Sequence, residues 1–220
     1  MPPWSAVRAD VQTKGRGRFG RSFASGPGGL WLSAVMPTEG PSEQWAGFSL
    51  RAGASLLAYL KQNLGLAEAR LRWPNDLMCG TRKLAGLLIE QPASGMLIVG
   101  FGMNVTNQPW LEDPALEHTA TRLADWITPP DLFSLTEGIL DTLADAHREM
   151  LRGGMQAAIE ELNTGWQEPM PVEIILSNGK TTSGAFLGLD SSGNLLLLDA
   201  AGTVSEIPHP HVERLRELGQ

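Results

Sequence analysis

Gly15-Arg16-Gly17-Arg18-Phe19-Gly20 follows a stretch, Ser5–Val11, in which Val7, Ala9 and Val11 alternate with other residues. The alternation predicts a strand, and the glycines satisfy G-x-G-x-x-G. A dinucleotide-binding fold would need a helix opening at the third glycine, with its N-terminus facing a pyrophosphate. The next residues are Arg21-Ser22-Phe23-Ala24-Ser25-Gly26-Pro27, which is poor helix material. The Rossmann reading fails on that point. The anion chemistry survives it. Glycines let the backbone approach a ligand and turn N–H groups into a concave site, and Arg16, Arg18 and Arg21 add fixed charge with donors suited to phosphate oxygens.

The charge around this run is local. Between Arg8 and Arg21 stand five basic residues (Arg8, Lys14, Arg16, Arg18, Arg21) against Asp10, a balance of +4. The 220-residue chain totals −7, so the remainder carries −11. A positive island in an acidic protein points to a small anionic ligand and argues against a dedicated nucleic-acid binder. A solvated basic turn is the plainer alternative for a charge run without glycines; here the glycines favour phosphate cradling. With 42% hydrophobic and 19% charged residues, the composition is that of an ordinary globular protein of one to two domains. The single cysteine, Cys79, excludes a disulfide framework and any Cys-based metal site within the chain. No apolar run approaches bilayer length, and no secretory signal precedes Trp4, so a cytoplasmic protein is expected.

Working outward, Gln12–Gly29 reads as a loop and Leu30–Met36 as a buried strand. From Ser42 to Leu64 apolar residues recur at helical spacing, with Ser42 as a cap and Gly65 as a stop. Ala69–Trp73, Lys83–Glu90 and Met96–Val105 read as successive strands of one sheet. Asp131–Leu151 and Met155–Thr164 read as helices. After Pro169 the period becomes two: Val172–Leu176 and Thr181–Leu189 flank an Asn178-Gly179 hairpin turn, and Leu195–Asp199 and Thr203–Ile207 come after it. That pattern predicts a small barrel, with a domain boundary at Gln167–Pro171.

Two more segments carry candidate chemistry. In Arg72-Trp73-Pro74-Asn75-Asp76, Pro74 breaks a strand and leaves Asn75 and Asp76 at its end, either for a ligand or as a turn that satisfies its own backbone. Lys83 opens the next strand, where it either reaches a bound anion past Ala85 and Gly86 or sits as a surface charge. Gly100-Phe101-Gly102-Met103-Asn104 places glycines at alternate positions of an apolar strand, which leaves one face bare for a flat ligand or marks a bulge. His118, His147, His209 and His211 show no metal-ligand spacing, so no protein metal site is expected. Trp110 is the tryptophan to watch as part of a ligand-ordered loop.

These three segments, in this order and trailed by a small all-β domain, resemble the biotin protein ligases from Val7 to Arg216. The resemblance implies an α+β fold: a mixed β-sheet with helices packed on one face, as in a class II synthetase-like catalytic domain (1–168), plus a small C-terminal SH3-like β-barrel (169–220). It implies ATP-dependent activation of biotin to biotinyl-5′-AMP with Mg²⁺, then transfer to a lysine of the biotin carboxyl carrier protein of acetyl-CoA carboxylase. Gln12, Gly15 and Arg16 would line the biotin site, together with Gly86 and Gly100. Lys83 would bridge the biotin carboxylate and the α-phosphate, with Arg16 over the same groups. Arg18 and Arg21 would hold the adenylate, Gly102 would give it backbone surface, and Phe23 would offer adenine a stacking face where relatives often carry Trp. Asn75, Asp76 and Asn104 would complete the nucleotide and metal side.

The resemblance also implies differences. Relatives carry a strand–helix unit with a Ser-Thr-Asn element before the first matching strand, whereas this chain reaches that strand by Ser5. The expectation is an N-terminally shortened ligase without a DNA-binding domain, for which a homodimer is compatible with an exposed sheet edge. Two other readings stand beside it: a lipoate or octanoate transferase of the wider fold, and a non-catalytic module that holds biotin or the carrier. The glycine-arginine loop argues against the first and the missing unit favours the second.

Overall fold

The computed structural model describes residues 1–40, 45–92, 95–166 and 168–218. They form two compact units, Met1–Arg152 and Gly153–Gln220.

The first unit is built on a six-stranded sheet. Its strands are β1 (Ser5–Ala9), β2 (Leu30–Pro37), β3 (Ala69–Arg72), β4 (Asp76–Cys79), β5 (Arg82–Glu90) and β6 (Met96–Met103), in the spatial order β1-β2-β6-β5-β4-β3. Two helices belong to it, α1 (Phe48–Gln62) and α2 (Leu132–Leu151). The expected mixed sheet is corrected in one respect: every ladder between these strands is antiparallel, and the one parallel pairing among the described residues is an isolated bridge between Lys83 and Ala120. Short loops such as Trp73–Asn75 between β3 and β4 connect neighbours directly, which suits antiparallel pairing. The four-residue β4 was not anticipated; it is too short for alternation to register.

Alternation sorts the sheet into two unlike faces. In β6, Leu97, Val99, Phe101 and Met103 are buried, while Ile98, Gly100 and Gly102 point the other way. The row Leu71–Leu77–Ala85–Met103–Leu30 crosses five strands and is fully enclosed. Gly53 of α1 rests against Leu71, where a Cβ would stand 3.0 Å from a Leu71 methyl. Phe48, Leu50, Leu56 and Leu60 of α1 and Leu135, Ile139 and Leu143 of α2 complete this core. Each such side chain contributes about 1.5–3 kcal/mol by leaving water. Asp131 caps α2, its Oδ1 accepting from the N–H groups of Phe133 and Ser134. Ser42, expected to cap the first helix, lies outside the described residues. His147 belongs to the core: its Nε2 is 2.7 Å from the Pro37 carbonyl, among Trp4, Trp45 and Phe48.

The second unit contains α3 (Met155–Gly165) and strands β7 (Met170–Leu176), β8 (Thr181–Leu189), β9 (Leu195–Leu198), β10 (Val204–Ile207) and β11 (Val212–Glu217). Their order, β10-β9-β8-β7-β11, is antiparallel throughout, a small all-β sheet compatible with the expected SH3-like domain. Gly179 has φ +80° in the Asn-Gly turn, as a tight hairpin requires. His209–His211 forms a short 3-10 turn. The units divide after Arg152, earlier than the expected Gln167–Pro171, because α3 is tied to the second sheet. Asn163 Nδ2 donates to the Leu189 carbonyl at 2.9 Å, and the Leu189 N–H donates to Asn163 Oδ1 at 2.8 Å.

Candidate active site

The face opposite the enclosed row carries a different one. Arg72 pairs with Asp76, Asp76 with Gly86, Gly86 with Gly102, and Gly102 with Trp31. Two residues further along β6, Gly100 pairs with Ser33 and Leu88. Gly86, Gly100 and Gly102 therefore share one face and leave a strip of bare backbone.

Lys83 stands at one end of the strip. Its Nζ lies 2.5 Å from Asp76 Oδ1, and Arg72 holds Asp76 Oδ2 at 2.7 Å. Gly86 provides the room: a Cβ there would stand 3.0 Å from Nζ and 3.1 Å from Cε of Lys83. Burial alone would raise the Asp76 carboxyl, but Lys83 and then Arg72 outweigh it and hold the group at about 2. The Lys83 ammonium also lies 5.3 Å from the centre of the Phe23 ring. That ring covers Gly102, where a Cβ would come within 2.9 Å of it, and meets Trp31 edge-on at 5.8 Å.

Phe23 is delivered by a loop that closes on itself. The Gln12 N–H donates to the Ser25 carbonyl at 3.0 Å, the Phe23 N–H to Gly15 at 2.9 Å and the Gly17 N–H to Arg21 at 2.7 Å. The tip turns through Phe19 and Gly20, both at positive φ (56° and 71°). A side chain at Gly15 would collide with the Phe23 carbonyl and the Ser25 hydroxyl, and that hydroxyl lies 3.0 Å from Gln12 Oε1. Burial and then the charge of Arg21 push the Arg18 guanidinium below its ordinary value, while Asp76 acts the other way. Arg18 is thus within electrostatic reach of the Lys83 end. Arg21 Nε donates to the Arg18 carbonyl at 3.3 Å.

The structure gathers Lys83, Asp76, Gly86, Gly102 and Phe23, with Gln12 and Gly15 as the loop's internal frame and Arg18 over the Phe19 ring at 5.2 Å. Arg16 stands elsewhere. Its Nη2 lies 2.8 and 2.9 Å from the two oxygens of Glu90, which comes after Gly86 and Leu88 along β5. Two expected nucleotide contacts are diverted. Asn75 Nδ2 donates to the Leu87 carbonyl at 2.7 Å, and the Leu87 N–H donates to the Asn75 backbone carbonyl at 2.9 Å, so the residue secures the β3–β4 turn to β5. Asn104 is buried, its Nδ2 donating to the Thr121 carbonyl at 3.0 Å and its Oδ1 accepting from Asn107 at 2.9 Å. Both side chains brace the scaffold. Arg72, Glu90 and Thr121 were not singled out from sequence. Glu90 was within reach of a period-two count from Gly86, and Arg72 sat in the quoted segment; Thr121 gave no signal.

The arrangement can hold an anion against Lys83 and Arg18 while a flat group lies on the glycine strip. Among the described residues no group of three or more His, Cys, Asp or Glu could hold a metal ion. Cys79 is inert here, since burial and then Glu68 raise its thiol to about 11, against Arg82. The Arg122 guanidinium lies 5.7 Å from the Trp110 ring centre.

Residues 3–104 match the Biotin/lipoate A/B protein ligase family. The biotin–[acetyl-CoA-carboxylase] ligase of Mycobacterium tuberculosis is 30% identical over 213 residues, covering 94% of this chain and 78% of that protein. The bifunctional ligase/repressor of Bacillus subtilis is 29% identical over 205 residues, 89% of this chain, which spans only 62% of that relative. Among solved structures, the biotin protein ligase from Aquifex aeolicus in complex with biotin and ATP superposes with a TM-score of 0.84 at 27% identity, over 99% of this chain and 90% of that one. With its glycine strip, its arginine loop and a relative of this identity matched over most of both lengths, the chain belongs to the biotin protein ligase family.

Proposed function

We propose that this chain is a biotin–protein ligase: it activates biotin with ATP and passes the acyl group to a lysine of the biotin carboxyl carrier protein of acetyl-CoA carboxylase. The observation that carries this reading is the Lys83 ammonium, fixed by Asp76 beside the strip of Gly86, Gly100 and Gly102, whose missing side chains leave the room that Lys83 and Phe23 border. The strip takes the flat ring system of biotin and the adenylate. Lys83 lies between the biotin carboxylate and the α-phosphate. A carboxylate oxygen attacks the α-phosphorus, the bond to the β-phosphate oxygen breaks, and pyrophosphate leaves. Two anions must meet, so the contribution of Lys83 and Arg18 is to offset their repulsion with preset positive charge. In the second step the carrier's lysine amine attacks the acyl carbon, AMP leaves, and the amine's proton is lost to solvent.

No residue of the chain serves as a nucleophile in this scheme. Arg16, at the Glu90 end, closes the loop over biotin, and Phe23 gives the adenylate its stacking face. Both oxygens of Asp76 meet cations, so Mg²⁺ would arrive with the phosphates of ATP and would supply neutralisation of their charge. The free edge of β1 suits a second copy of the chain, and the cytoplasm is the expected setting. No helix among the described residues is long and apolar enough to cross a membrane.

The test is biotin-dependent exchange of pyrophosphate into ATP. The wild-type chain should catalyse it, and Lys83→Ala should lose it by a factor on the order of 100 or more. Exchange that answers to lipoate or octanoate but not biotin, or none at all, overturns the reading.

A further inference from the structure

Lys83 lies where two ladders run out. β6 pairs with β5 only from Ala85 onward, opposite Met103, and the β4 register slips between Leu77 and Met78. The Asn104 N–H reaches the Leu84 carbonyl at 3.0 Å, and there the chain leaves the sheet. Thr119–Thr121 takes the vacated position. The Lys83 N–H donates to the Thr119 carbonyl at 2.8 Å, and the Thr121 N–H donates to the Lys83 carbonyl at 2.9 Å. Together they make the parallel bridge centred on Ala120.

So short a bridge needs anchorage of its own, and Thr121 supplies it. The residue is completely buried, at 0% exposure. Its hydroxyl donates to Asp125 Oδ2 at 3.0 Å and accepts from Trp126 Nε1 at 2.9 Å, and its carbonyl accepts from Asn104 Nδ2 at 3.0 Å. Asp125 is held in turn by Arg122 Nε at 3.0 Å, and the Leu123 N–H donates to the Asn104 carbonyl at 2.9 Å. The hydroxyl of this enclosed residue thus uses one donor and one acceptor, and ties the segment to Asp125 and Trp126 at the edge of the core.

We infer that Thr121 is a positioning residue for the adenylation step. By fixing the Thr119–Thr121 segment it fixes the backbone of Lys83, and so the place from which Nζ reaches the glycine strip. It touches no substrate, and its role rests on the function proposed above.

Thr121→Val keeps the shape and removes both hydroxyl bonds; Thr121→Ser keeps the hydroxyl. Trp126→Phe removes one donor and keeps most of the ring. Each variant of the full chain is assayed for pyrophosphate exchange, and amide hydrogen exchange is monitored at Lys83 with Leu56 of α1 as internal reference. Thr121→Val should lower kcat about tenfold or more with KM for biotin little changed, since small misplacements of a reacting group are costly. Its Lys83 amide should exchange about ten times faster while Leu56 stays within about twofold. Thr121→Ser should restore most of both, and Trp126→Phe should fall between.

The inference is overturned if Thr121→Val keeps kcat and Lys83 protection within about twofold of wild type. It is equally overturned if Leu56 loses protection in step with Lys83 and Thr121→Ser gives no rescue, for the effect is then general destabilisation. A wild-type chain without biotin-dependent exchange would defeat the proposed function instead, and the Lys83 amide would still decide whether Thr121 holds the lysine.

Discussion

Lys83 and Arg16 both place positive charge on the open face of one sheet, and they are held in opposite ways. Lys83 rises from a strand whose backbone is bonded on both sides, and its partner Asp76 has a side chain only 19% exposed. Arg16 rises from a loop that closes mostly on itself, and it meets Glu90 with the two side chains 60% and 43% exposed. An exposed pair of that kind is worth about 0–1 kcal/mol and can be exchanged for another anion at little cost. Breaking a sheltered pair strands a charge and costs several times more. The contrast separates two tasks. Under the proposed function, the cation that must already be in place when phosphorus is attacked would be the fixed one, and the one that closes over the ligand would stay re-aimable.

Five substitutions would break or sharpen that contrast. The largest effect belongs to Lys83→Ala, with kcat for pyrophosphate exchange falling on the order of 100-fold or more, whereas Arg16→Ala should act mainly on KM for biotin. Equal losses of kcat in the two would erase the distinction.

Asp76→Asn comes next, because it leaves Lys83 and Arg72 without a counter-charge and should destabilise the chain by about 3 kcal/mol in urea unfolding. The same carboxyl sets a pH dependence. Its folded value of about 2 lies below the ordinary 3.8, so its contribution is complete above pH 3.8 and disappears as pH falls through about 2. It amounts to about 2 kcal/mol, and urea midpoints of wild type and Asp76→Asn measured across that window should converge toward the acid end.

Gly86→Ala ranks third. Its Cβ would stand 3.0 Å from Lys83 Nζ, so the ammonium must shift. We expect kcat to fall about tenfold while the urea midpoint barely changes. An unchanged kcat would show that Lys83 is less tightly placed than Asp76 and Gly86 imply.

Glu90→Gln is the smallest, at less than about 1 kcal/mol and fading as salt is added. A large, salt-independent loss would put Arg16 among the fixed cations.

Much of this was legible beforehand. The alternation of Met96–Met103 already placed Gly100 and Gly102 on one face, and the period of Asp131–Leu151 marked a helix. The Asn178-Gly179 turn marked the second sheet. Less legible were β4, only four residues long, and the allegiance of α3, which depends on Asn163 meeting Leu189. Asn75 and Asn104 looked like ligand groups because an amide at a strand end suits either a ligand or a neighbouring backbone. The backbone partners they have, Leu87 and Thr121, are ones that no local pattern connects to them.

The sequence by itself determined the periods and the exceptions to them: which residues of a strand share a face, where glycine leaves that face bare, and where charge is concentrated in the arginine loop. Tertiary structure alone decided which charges meet. Arg16 finds Glu90 74 residues away, and Asp76 faces Lys83. Thr121 stands behind the lysine because β6 ends one step short of it. The physical reason is that periodicity is a property of one segment, whereas register and partner depend on how several segments share a buried core and satisfy its polar groups.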